Sequence, residues 1–223
     1  MKRILKRLNK FWDETQSFTF LLSVLVVYIF VIIPIVDKRL TEVVLFFIFY
    51  FLLLSGGIPF LIRNKRSGII FLLIVSPIVL LFSEILFKSA WITVCSDLFL
   101  VLYCISLGTI IMIKTFSRGH ITAHRVLGSI ICYLLTGLIF AMLYHSIYLL
   151  NGNVAFKGLG TCFRTEFMYF SFSTLTTAGY GDITAVDNYA RSMSNLESLI
   201  GQLYPAILIA RLISMEFTNS KDS

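Results

Sequence analysis

Seven consecutive residues, Thr176-Thr177-Ala178-Gly179-Tyr180-Gly181-Asp182, have the composition and spacing to ligate a cation through the backbone. Two glycines two positions apart let the chain enter the left-handed region at low cost. A backbone alternating between right- and left-handed conformations turns successive carbonyl oxygens to one side, where they can replace a cation's water shell. Carboxylates form the second group of candidates. Glu197, Asp97 and Glu84 each lie in an apolar stretch, and Lys88 follows Glu84 by one turn. A carboxylate in such a setting is costly and normally has a partner. Catalysis is not expected, because the chain has no nucleotide-binding motif and no Ser/His or Cys/His arrangement. Nor is a resident metal or cofactor: Cys95, Cys104 and Cys132 sit in apolar blocks, Cys162 stands alone in a polar loop, and His120 and His124 lack a third ligand.

The elements that position these groups follow from composition. Of the 223 residues 57% are hydrophobic and 14% charged, and the apolar residues form long blocks, the pattern of a chain solvated by lipid. Six blocks are expected to span as helices, at about Phe18–Val36, Glu42–Ile62, Ile69–Phe87, Trp91–Ile113, Val126–Leu150 and Met193–Ile213. The first is too long for a signal-peptide core and is expected to stay. With the N-terminus inside, 13 of the 19 Lys and Arg face inward and six outward, which puts both termini in the cytoplasm of a multi-pass cell-membrane protein. The +7 net charge is therefore read as membrane orientation and contact with anionic inner-leaflet lipid, and not as nucleic-acid binding. Residues 1–17, where Ile4, Leu5, Leu8, Phe11 and Trp12 alternate with five basic residues, suit an amphipathic helix on the inner leaflet.

Between the fifth and sixth blocks lies Asn151–Ser192, whose apolar, aromatic middle, Phe163 to Thr176, is too short to span. A re-entrant helix that enters from outside and stops halfway is expected there, with Thr165 as its N-cap and Glu166 in its first turn. The 176–182 run follows. It closely resembles the selectivity-filter signature of potassium channels, and the surrounding Val126–Ile213 is similar to that family's pore module. The first four blocks match the six-helix members only in number and arrangement. The resemblance implies an all-α membrane fold of six spanning helices plus a pore helix and filter loop, assembled as a homotetramer. It implies K+ bound by the carbonyls of Thr177, Ala178, Gly179 and Tyr180, with Gly181 completing the filter and the Thr177 hydroxyl the innermost site. It implies support from Thr176, Asp182, Tyr169 and Phe170, the last two forming an aromatic cuff around Tyr180 and Tyr169 also bonding Asp182. Gly201, 20 residues after Gly181, stands where members often carry a hinge glycine, and Pro205 adds a kink; close helix packing is the other reading of Gly201. Ala178 replaces the usual valine or isoleucine, and Ala185 stands where a proline often follows. The compact chain is typical of prokaryotic members.

Glu197 lies one turn before Gly201 and is expected to brace the pore helix through Ser171 or Ser173, so that Glu197→Gln disturbs gating or filter stability. Strong voltage gating by the fourth block is not expected, since no Lys or Arg occurs from Trp91 to Ile113. Glu84, Lys88 and Asp97 are either an ion-pair group or a proton- or ligand-sensing cluster, and His145 is either a titrating or a structural histidine. The domain plan is thus 1–17 interfacial, 18–113 non-pore helices, 114–125 basic linker and 126–223 pore domain, with no cytoplasmic domain expected after about Ser214. Potassium uptake by a four-loop transporter fits poorly, because one chain carries one intact loop. A non-conducting subunit and a filter relaxed around Ala178 are the remaining alternatives.

Overall fold

The computed structural model describes residues 14–35, 45–46, 48–53, 89–115, 123–151, 154–160 and 164–221. Residues 1–13 of the interfacial segment, most of the second apolar block, all of the third, and Glu84, Lys88, His120 and Cys162 lie outside the described residues.

Helix α1 spans Glu14–Val27 and passes into a π-turn at Tyr28–Ile32 and a 3-10 turn at Ile33–Ile35. Pro34, inside the 3-10 turn, has no N–H for an α-helical bond. Residues 45–46 and 48–53 are also helical. Helix α2, Ala90–Thr115, is the fourth apolar block, and α3, Ala123–Asn151, is the fifth. A strand β1, Phe156–Lys157, precedes the short helix α4, Arg164–Leu175. Strand β2, Thr184–Ala185, leads into the 34-residue helix α5, Asn188–Lys221. Asp187 caps α5: its Oδ2 accepts from the amides of Tyr189 at 2.9 Å and Ala190 at 3.4 Å.

Among the described residues, Ala90–Ile113 and Arg125–Asn151 are long and apolar enough to cross a membrane, and Phe18–Ile32 is a shorter apolar helix. Helix α3 is the hub, packing against α1, α2, α4 and α5. On its α1 and α2 side the core is mainly aliphatic and aromatic, with Phe18, Leu21, Leu25, Leu107, Ile111, Ile131 and Leu135 buried together. On its α4 side a separate cluster is dominated by rings, including Tyr144, Phe156, Phe167 and Phe170.

Two features depart from expectation. Thr165 is the second residue of α4 and not its cap, since the helix begins at Arg164. Glu166 does lie in the first turn, where its Oε1 accepts from the Gly160 amide at 3.0 Å and ties the helix start to the preceding loop. The chain also contains a two-stranded antiparallel ladder pairing Phe156 with Ala185 and Lys157 with Thr184. Ala185, noted above as a replacement for proline, is therefore a ladder residue.

Candidate functional site

The 176–182 run begins where α4 stops. The last turn of α4 holds it: the Thr177 amide donates to the Thr174 carbonyl at 2.9 Å and the Gly179 amide to the Ser173 carbonyl at 3.1 Å. The Thr176 hydroxyl donates back to the Phe172 carbonyl at 2.7 Å. Beyond these anchors the backbone takes positive φ at every second residue: Thr177 at 57°, Gly179 at 55° and Gly181 at 81°. Ala178 and Tyr180 between them do not. This is the alternation that aligns successive carbonyls on one side.

The two glycines are needed for conformation and not for space, because a Cβ added to either meets no atom of this chain within 4 Å. Thr177 is the unforeseen member. A β-branched residue at positive φ is an outlier that costs about 1–3 kcal/mol, so its surroundings must enforce it.

At the outer end the run is tied down by the loop before α4. A Cβ on Gly158, whose φ is 86°, would lie 1.8 Å from the Asp182 carbonyl oxygen, so only glycine permits that approach. The Ala155 carbonyl accepts from the amides of Val186 at 2.9 Å and Asp187 at 3.2 Å, extending the hold of the ladder. The rings of Tyr169 and Tyr180 stack with centroids 6.2 Å apart and planes inclined by 7°. Phe170 is placed differently from its partner in the expected cuff. It is buried in the ring cluster, edge-on to Tyr144 at 5.0 Å and to Phe156 at 5.4 Å.

Glu197 is fully buried on α5. Its Oε1 lies 2.5 Å from the Ser171 hydroxyl of α4, and its Oε2 accepts from the Tyr144 hydroxyl of α3 at 2.6 Å. Ser171 also lies 2.7 Å from the Gly137 carbonyl, which can only accept. One hydroxyl hydrogen therefore serves two oxygens, and a proton on Glu197 would satisfy both contacts. Ser173, the other serine considered, instead faces the Tyr180 amide at 3.5 Å.

Gly201 sits against the end of α4: a Cβ there would lie 1.8 Å from the Leu175 carbonyl oxygen. The same oxygen accepts from the Tyr133 hydroxyl of α3 at 3.2 Å. The geometry favours close packing as the reason for this glycine. Helix α5 continues through Gly201 and through Pro205. Pro205 cannot donate to the residue four before it, which is Gly201, so the helix is weakest where it meets α4.

Asp97 is fully buried among partners that sequence reasoning did not pair with it. Its Oδ1 accepts from Arg164 Nε at 2.9 Å, and its Oδ2 lies 2.6 Å from His145 Nδ1. Glu84 and Lys88, grouped with it above, are outside the described residues. The signal available was weak: Arg164 is separated from Asp97 by 67 positions and reads as an ordinary outer-loop charge. Among the described residues no group of three or more His, Cys, Asp or Glu side chains could hold a metal ion.

The family model described as an ion channel matches residues 129–217. No curated protein and no solved structure matches the chain. The match covers most of α3, the loop, α4, the 176–182 run and nearly all of α5, the elements that build the site. Over these residues the chain is similar to an ion channel domain, and that family is one of ion channels and not of enzymes.

Proposed function

We propose that this chain is one subunit of a potassium-selective channel that conducts K+ passively across the cell membrane. The observation that carries the reading is the left-handed backbone at Thr177, Gly179 and Gly181, immediately after a helix too short to span a bilayer. Carbonyls of Thr177, Ala178, Gly179 and Tyr180 ring the ion, and the Thr177 hydroxyl adds the innermost ligand. The C-terminal end of α4 directs its partial negative charge toward that position. Thr176, Asp182, Tyr169, Phe170 and Glu197 support the filter from behind.

One run per chain supplies a quarter of the oxygens, so four copies surround one axis. The exposed Leu196, Leu199, Leu203 and Ile207, at helical spacing on α5, together with exposed Tyr180, support such neighbours. Six spans place both termini in the cytoplasm, where the basic N-terminal segment meets anionic lipid. The test is ion flux in liposomes reconstituted with the purified full chain. Potassium flux blocked by barium, without matching sodium flux, is expected. Equal flux of both ions would replace selectivity with a filter loosened at Ala178. Absence of flux across pH, voltage and tension would indicate a non-conducting subunit.

A further inference from the structure

Asp97 is the one charged residue in the fourth apolar block between Trp91 and Ile113, and it is directed at the start of α4. Arg164 is the first residue of that helix and is 3% exposed. A cation there is opposed by the helix dipole, and a buried cation without a counter-charge is strongly disfavoured. Asp97 answers both problems from a helix outside the ion channel domain. Its second oxygen engages His145 of α3, whose ring packs on Phe167 of α4 at 5.4 Å. The guanidinium carbon of Arg164 also lies 4.8 Å from the ring centre of Phe46, in the second apolar block. Two elements of the non-pore region thus grip the outer end of α4. Its inner end is held by Tyr133 of α3 and Gly201 of α5 at Leu175.

We propose that Asp97 and Arg164 form a latch through which α2 sets the position of α4, and so of the filter carbonyls that follow it. The inference rests on reading the 176–182 run as the filter. Both are positioning residues: neither touches the ion. A rigid 12-residue helix held at both ends transmits a shift of α2 to Thr176 directly, without passing through linker residues 114–125. The first four helices are then coupled to conduction from the outer side of the membrane.

The test compares thermal unfolding of the full-length protein in K+ and in Na+, together with the ratio of K+ to Na+ flux, for the unchanged chain, Asp97→Asn, Arg164→Gln and Arg164→Lys. A filter that binds K+ stabilises the folded channel specifically in K+. Asp97→Asn and Arg164→Gln are expected to lose most of that K+-specific stabilisation and to lower the flux ratio, while still unfolding cooperatively in Na+. Arg164→Lys keeps the charge without the guanidinium geometry and is expected to fall between. If the first two variants do not fold, Arg164→Lys decides alone. Equal destabilisation in both salts with an unchanged flux ratio would overturn the latch and leave a purely structural ion pair. If the unchanged chain shows no K+-specific stabilisation, the filter reading fails first and the latch with it.

Discussion

The two sides of α3 are held together in different ways. Toward α1 and α2 the shared cluster is mainly apolar apart from the Asp97–His145 contact, and a neutral tie among these elements is the Tyr103 hydroxyl donating to the Leu53 carbonyl at 3.1 Å. Toward α4 and α5, rings alternate with hydrogen bonds that reach named backbone or carboxylate oxygens, among them Tyr144 to Glu197 and Tyr133 to Leu175. Apolar packing tolerates small slides, because its energy depends on area and not on direction. A hydrogen bond weakens steeply with angle. The lesson is that directional contacts are concentrated where a loop must be held in an unfavourable conformation, as Thr177 is.

That contrast can be broken by substitution. The largest effect is expected from Gly201→Ala, because its Cβ would meet a backbone oxygen that cannot rotate away. A loss of about 3 kcal/mol per subunit is expected, the upper part of the range for overpacking, read as earlier unfolding in a denaturing detergent series together with loss of flux. Next comes Glu197→Ala, which strands the Tyr144 hydroxyl and leaves Ser171 with the Gly137 carbonyl, at a cost of about 2 kcal/mol. Glu197→Gln keeps an acceptor for Tyr144 and offers Ser171 a donor, so its disturbance of conduction should be measurably smaller. Equal effects of the two variants would show that charge, and not hydrogen-bond pairing, matters at this site.

The sharpest comparison uses the same chemical deletion on each side of α3. Tyr133→Phe and Tyr103→Phe each remove one hydroxyl donating to a carbonyl, worth about 1 kcal/mol. Unfolding should shift by similar amounts. Only Tyr133→Phe should alter ion flux, because its carbonyl partner is the last residue of α4. A change in selectivity with Tyr103→Phe would mean that the two sides are not mechanically distinct.

How much of this was legible beforehand depends on whether local chemistry or distant contacts decide. Gly179 and Gly181 announce left-handed backbone because glycine alone enters that region freely. Thr177 gave no such signal, since a β-branched residue argues against positive φ and takes it here through contacts with α4. Glu197 was expected to bond a serine because a carboxylate in an apolar helix needs a donor. That Tyr144 would share it depends on helix packing that no local pattern encodes. Thr165 was expected as the cap because threonine caps well, but Arg164, paired with the buried Asp97, already lies within α4 and so Thr165 lies inside the helix. The long α2 and α3 were legible from hydropathy alone.

The meeting of Gly201 with Leu175 has one more consequence. Here Gly201, whose carbonyl Pro205 cannot bond, is also the residue that abuts the last carbonyl of α4. Any bend of α5 at that point pivots on the C-terminal end of α4. On the proposed channel reading, a bend that opens the inner half of α5 and a distortion of the 176–182 run would share that fulcrum, as opposite arms of a single lever.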